Sequence, residues 1–306
     1  MPDVLTHILF AERVKDKLAD GNIRHFIHDN YKLYNLGAQG PDILFYYKPW
    51  NPYARNIRET GEMMHHKNTA LFFKDAILLL NKSTGSYYEE LIVYVIGFLC
   101  HYYCDKSIHP YVYSMIDTGC YNFGEGRTKL NHYDIEATMD SRLWYREKGI
   151  PSTKVKNSEM LNVEYLPDVV ADYLSNYIYK GLSGIIHDFE IRKAVKIMVK
   201  ILEILYDPKN NKKKVINKLP LPRKCYIDNG FSNVDVLNEN KRSWGFPGVE
   251  GKDLSKSIGE LLIEAIDECV AVADVICGFL EKGEEADFDT LIPNEDYCTE
   301  LPLDEE

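Results

Sequence analysis

Apolar residues recur at helical spacing over most of this chain. Behind Asp3, a residue type that caps helix starts, Leu5, Ile8, Leu9 and Leu18 keep that period until Gly21. The pattern predicts a second helix from Ile23 to Leu36, closed by Gly37. Gly40-Pro41-Asp42 is a turn signature, and it leads into the aromatic segment Ile43–Tyr53, interrupted by Pro49 and Pro52. A long helix is expected from Glu59 to Lys82, ending at Ser83-Thr84-Gly85-Ser86. The next runs from Tyr87 to Pro110, whose ring and missing N–H predict a kink or an end there. Gly119, Gly124 and Gly126 mark a loop over 117–130, and a helix entered at His132 reaches Gly149-Ile150-Pro151.

Further helices are expected over 167–179, 184–206 and 254–281, with a long connection at 207–253 rich in Pro, Asn and Lys. No stretch alternates as a strand would, and no repeat or heptad run is present. The expected fold class is therefore all-α, a multi-helix bundle. Residues 1–150 read as its core, 151–283 as additional helices packed on that core, and 284–306 as an acidic tail that hugs the surface or frays.

Chemistry enters where the apolar pattern breaks. Leu91–Cys100 is continuously apolar, the mark of a buried helix, and it is followed by His101, Asp105 and His109 at intervals of four. The interval returns in His132, Glu136 and Asp140. Residues i and i+4 stack on one helix face, so each triplet forms a stripe of imidazole and carboxylate. A solvent-facing polar stripe is the plainer reading of either triplet. A buried stripe needs partners, and a borderline divalent metal such as zinc accepts both ligand types. Asp42, the pair His65-His66 and His7 are further candidates upstream. Taken alone, each reads as structural or solvated, as do His25, His28 and His187.

Composition narrows the function classes. At 306 residues, with 45% apolar and 27% charged, the chain is an ordinary soluble globular protein long enough for one large core or two modest ones. A net charge of −11 argues against a general nucleic-acid-binding face, so no stable nucleic-acid partner is expected. A phosphate substrate stays open, because bound divalent cations make a pocket locally positive. The seven cysteines are scattered without a CxxC pair, which suggests reduced thiols; Cys100 and Cys104, one turn apart, read as small core residues. Charged residues from Asp3 to Lys17 leave no secretion signal, and the ten-residue run Leu91–Cys100 is too short to span a bilayer. The expectation is a cytoplasmic protein with no transmembrane segment.

In this order, His7, Gly40-Pro41-Asp42, His65-His66, His101-x3-Asp105, His109 and His132-x3-Glu136 resemble the bacterial zinc-dependent phospholipase C family over about residues 1–145. That family shares its all-α fold with fungal single-strand-specific nucleases. The resemblance implies two or three zinc ions or similar divalent metals. Asp42, one of His65 and His66 (His65 preferred), His101 and Asp105 would hold the first. Asp105 would bridge to a second, also held by His7, and His109, His132 and Glu136 would hold a third. It further implies hydrolysis of a phosphate ester or phospholipid-like substrate, with Asp42 orienting or deprotonating the attacking water. Asp140 would accept a hydrogen bond from a ligand imidazole, or cap a helix instead. Tyr46, Tyr47, Trp50 and Tyr53 would line the substrate cleft, stacking on a base or boxing a quaternary ammonium, or else fold on the core.

Three positions depart from the family pattern. No tryptophan stands near the start, where secreted relatives use an N-terminal tryptophan as a zinc ligand. His109 follows Asp105 more closely than in the relatives, and Ile43 replaces the aromatic that follows the pocket aspartate in the phospholipase subtype. A non-catalytic, metal-stabilised helical scaffold and a single-strand nuclease are the alternative readings.

Overall fold

The least polar stretch of the sequence becomes the axis of the molecule. In the computed structural model, which describes residues 4–118, 132–209, 211–212, 234–297, 299 and 301–303, this stretch lies within helix α6 (Gly85–Thr118). Every residue from Leu91 to Asp105 is buried, as a helix apolar on all sides must be. Around it pack α1 (Val4–Lys17), α2 (Asn22–Asp29), α3 (Tyr31–Gly37), α5 (Thr69–Leu80), α7 (His132–Lys148), α9 (Asp168–Leu182) and α11 (Ile258–Lys282). The bundle is completed by α4 (Arg55–His66), α8 (Asn157–Leu161), α10 (Asp188–Leu205) and α12 (Phe288–Leu291). The all-α expectation holds.

Several expected elements change on packing. The helix expected over 23–36 divides at Asn30, whose side chain donates to the Phe26 carbonyl at 3.2 Å and ends α2. The one expected over 59–82 divides at Asn68, which is left-handed at φ 49°, so His65 falls in the last turn of α4. Pro110 does not stop α6; it removes the N–H that would bond the Lys106 carbonyl, and burial on all sides holds the helix through to Thr118. Gly37 and Gly97 let α3 and α6 almost touch, since a Cβ on Gly97 would lie 2.3 Å from the Tyr34 carbonyl oxygen.

The second half also departs from expectation. The connection where no strand was expected contains a two-stranded antiparallel ribbon, β1 (Trp244–Gly245) and β2 (Asp253–Leu254). With Leu254 paired there, α11 starts at Ile258 behind a Ser257–Glu260 capping box. In the last segment Ile292 and Tyr297 are buried, and one apolar cluster of the described residues takes in both Val4 and Tyr297. By length and composition Gly85–Ile116 could cross a membrane, but 89% of its most apolar window is buried in the fold, as for a core helix. Cys100, Cys104, Cys269 and Cys277 are free thiols. The expected 117–130 loop falls largely outside the described residues, as do Cys120, Cys225 and Cys298.

Candidate metal centre

Five segments deliver the candidate ligands to one cluster. His7 comes from the first turn of α1, Asp42 from a 3-10 turn (Gly40–Tyr46), His65 from the end of α4, His101, Asp105 and His109 from α6, and His132 and Glu136 from α7. The 3-10 turn can lie against α6 because residue 40 is glycine: at φ 52°, a Cβ there would sit 2.2 Å from the His101 ring. Any side chain at 40 would displace that imidazole.

Asp105 is the hub. Its Oδ1 lies 3.3 Å from His7 Nε2. Its Oδ2 lies 3.3 Å from His101 Nε2, 3.4 Å from His65 Nε2 and 3.7 Å from His109 Nδ1. His65 Nε2 is also 3.5 Å from Asp42 Oδ1. The opposite ring nitrogen, His65 Nδ1, faces the Gly61 carbonyl at 2.8 Å, an arrangement that fixes the tautomer and turns the Nε2 lone pair inward. His109 presents Nδ1 to Asp105 and Nε2 to Glu136 Oε1 at 3.7 Å, while His132 Nε2 lies 2.7 Å from the same Glu136 oxygen. Ligand atoms within 4.8 Å of one another thus form three groups: His7, His101 and Asp105; Asp42, His65 and His101; and His109, His132 and Glu136.

The donor set fits a divalent cation better than it fits itself. Among the described residues, both ring nitrogens of His7 and His109, both oxygens of Asp105 and Nδ1 of His101 lack a hydrogen-bond partner. A buried polar atom left unpaired costs about 1–3 kcal/mol, so this concentration of orphaned nitrogens and carboxylate oxygens points to a missing positive centre. The electrostatics agree. Burial would depress the His65 ring, but the Asp105 and Asp42 carboxylates override it and lift its pKa to about 10. Burial pushes His101 and His109 down. Burial likewise opposes ionisation of Asp105, yet the surrounding imidazoles hold it well below the usual carboxylate range.

A model of the zinc-dependent phospholipase C family matches residues 6–188, more than half of the chain. The chain belongs to that family. The match continues past residue 145, where the likeness read from the sequence ended, through α8 and α9. No curated protein and no solved structure matches the chain.

Within this zinc-dependent family member, the structure separates residues the sequence left together. His65 enters the cluster, whereas His66 turns away, its Nδ1 2.5 Å from Asp296 Oδ2 and its Nε2 3.4 Å from Glu62. Asp140 takes the capping alternative, accepting from the backbone N–H groups of Leu5 and Thr6 and so fixing the turn of α1 that carries His7. The four cleft aromatics divide, with Tyr46 and Tyr47 buried in the core and Trp50 and Tyr53 exposed. Tyr102 and Tyr103 are packing residues. His25 and His28 lie exposed on α2, and His187 caps α10.

Tyr297 was not among the residues expected at the site. Its ring packs edge-on against His65, with centroids 5.3 Å apart, and lies 6.1 Å from His101. Its N–H donates to the His65 carbonyl, which the end of α4 leaves without an intrahelical partner. Around it, Asp296 takes His66, Glu295 pairs with Lys106, and the Glu295 carbonyl accepts from Thr69. The available signal was the recurrence of large apolar residues, Phe288, Leu291, Ile292 and Tyr297, in an acidic segment.

Proposed function

We propose that this protein is a zinc-dependent hydrolase of phosphate esters, acting on phosphodiesters of the phospholipid type. The observation that carries the reading is the Asp105 carboxylate, one oxygen facing His7 and the other facing His65, His101 and His109. A carboxylate with ligands on both sides suits a site of more than one cation. Asp42, His65, His101 and Asp105 would hold one ion, Asp105 and His7 a second, and His109, His132 and Glu136 a third. Bound zinc would supply Lewis acidity at a phosphoryl oxygen and lower the pKa of a coordinated water towards neutrality.

The chain's own residues do the rest. Asp42 is the base of choice: it is held on a rigid glycine-proline turn and accepts a proton at a carboxylate oxygen beside the cluster. Gly61 orients His65 through Nδ1, and Asp140 orients the His7 turn through backbone N–H groups. Tyr297 and the buried faces of α6 keep bulk water from the His65 side, which strengthens every charge interaction within. His132, 24% exposed at its side chain, is the ligand through which substrate meets the cluster.

The second reading, a metal-stabilised scaffold, draws on the near-complete burial of His7, His101 and Asp105. One experiment separates the two. Zinc-loaded protein is assayed against phosphatidylcholine, p-nitrophenyl phosphate mono- and diesters and single-stranded oligonucleotides. The hydrolase reading expects release of a phosphorylated headgroup, abolished in Asp42→Asn, whose zinc content falls by no more than the one ion that Asp42 would help to hold. Zinc content of two or more per chain without turnover of any substrate selects the scaffold, and cleavage of the oligonucleotide alone selects a nuclease.

A further inference from the structure

The aromatic segment after Asp42 holds two rings outside the protein, and the way it holds them needs an explanation. Trp50 is 55% exposed and Tyr53 94%. Aromatic side chains bury roughly 150–250 Å² each when packed, so displaying two of them forgoes a large favourable term. They are not on a slack loop. Pro49 and Pro52 restrict the backbone, and Asn51 Oδ1 accepts from the Tyr53 N–H at 3.0 Å. Arg58 Nη1 reaches in to donate to three carbonyls, Tyr47 at 3.2 Å, Lys48 at 3.1 Å and Asn51 at 3.2 Å. The turn is built to present the rings.

Charge names the partner. From Leu44 to Arg58 the sequence contains Lys48, Arg55 and Arg58 and no acid, in a chain of net charge −11. Arg55 pairs with Glu59 at 2.7 Å, and the segment stays positive after that pair is counted. The turn between α9 and α10 adjoins α4, since a Cβ on Gly184 would lie 3.9 Å from Thr60 Oγ1; it exposes Ile185, and the first turn of α10 exposes Phe189. Indole and phenol rings, apolar with one polar tip, settle at the headgroup level of a bilayer. Each nearby cation adds about 1 kcal/mol at an anionic leaflet.

We propose that the Lys48–Arg55 turn is an interfacial anchor that seats the protein on an anionic lipid surface, with Trp50 and Tyr53 entering the headgroup layer. The turn begins six residues after Asp42. A second copy of the chain is a poor occupant, because two such turns meet with like charge. The inference goes beyond the hydrolase reading, since docking needs no turnover.

The test uses the full zinc-loaded chain and vesicles of phosphatidylcholine with or without phosphatidylserine. Trp50 is the one exposed tryptophan of three, Trp144 and Trp244 being buried, so a blue shift of intrinsic fluorescence on mixing reports its entry into lipid. Sedimentation should show anionic vesicles bound roughly tenfold or more tighter than neutral ones, with added salt weakening the difference. The double variant Trp50→Ala/Tyr53→Ala should lose that binding while keeping wild-type zinc content and circular dichroism, and Lys48→Glu should reduce the anionic preference alone. Absence of vesicle binding, or undiminished binding by the double variant, overturns the anchor. Self-association lost in the double variant also overturns it and assigns the turn to a second copy. Vesicle binding without lipid cleavage would remove the phospholipase reading and leave the anchor; cleavage of a soluble phosphodiester without vesicle binding would do the reverse.

Discussion

Asp105 and Glu136 each gather imidazoles, and His109 stands between them with one ring nitrogen towards each carboxylate, 3.7 Å in both directions. Their surroundings differ. The ligands around Asp105 are at most 5% exposed and closed in by α6, the Gly40 turn and Tyr297, whereas His132 beside Glu136 is 24% exposed. A cation in the first setting would be enclosed by buried imidazoles and carboxylates, so its binding free energy would become folding free energy. A cation in the second has a side left for exchange, the property that distinguishes catalytic from structural metal sites. On the proposed reading, the contrast gives the Asp105 group the larger share of stability and His132 the exchangeable face, and it can be broken experimentally.

The strongest blow to the contrast would come from Asp105→Ala. Removing the hub leaves several buried imidazoles unbalanced, and loss of one partner from a buried charged network costs about 3–5 kcal/mol. Denaturant unfolding should show that drop, and elemental analysis should show loss of the metals nearest His7 and His65. Should the alanine variant fail to fold, Asp105→Asn keeps the volume and should still show the metal loss. Wild-type zinc content in Asp105→Asn would end the assignment.

Tyr297→Ala comes next. Truncating a fully buried aromatic costs about 3 kcal/mol or more, and here it also uncovers His65 and His101. The variant should unfold earlier and surrender its metal to a chelator faster, while Tyr297→Phe should recover most of both properties. His132→Ala is expected to act in the opposite sense, with turnover down roughly a hundredfold, equivalent to about 2.7 kcal/mol in the barrier, and stability within about 0.5 kcal/mol of wild type. A His132 variant that unfolds as readily as the Asp105 one would erase the distinction between the two regions. The smallest effect belongs to Asp140→Ala, which removes the cap of α1: about 1 kcal/mol of stability, with the metal nearest His7 weakened and the Glu136 group untouched. Metal titration would resolve the two affinities.

Why the ligands could be read from sequence and their enclosure could not is a matter of range. Four-residue spacing on α6 and α7 is local information, and the apolar run from Leu91 announced that the first stripe would be buried. The choice between His65 and His66 required knowing where α4 stops. That in turn depended on Asn68 adopting a left-handed conformation and on Asp296 waiting for the second ring. Asp140 looked like a continuation of the ligand stripe because it keeps the interval, yet its partners lie at the start of another helix. Trp50 and Tyr53 share an aromatic cluster with Tyr46 and Tyr47, and nothing local says which pair turns inward. Pro110 misled in the other direction, a local rule overridden by packing on all sides of α6.

Tyr297 and His7, from opposite extremes of the described chain, both pack against the His101 ring, with centroids 6.1 and 4.5 Å from it. During synthesis on the ribosome, a helix pair made early must therefore wait, its imidazoles and acids assembled but uncovered, until residue 297 has emerged. On the hydrolase reading, an ion reaching the cluster in that interval would meet it uncovered, so supply as well as affinity would decide which metal is enclosed.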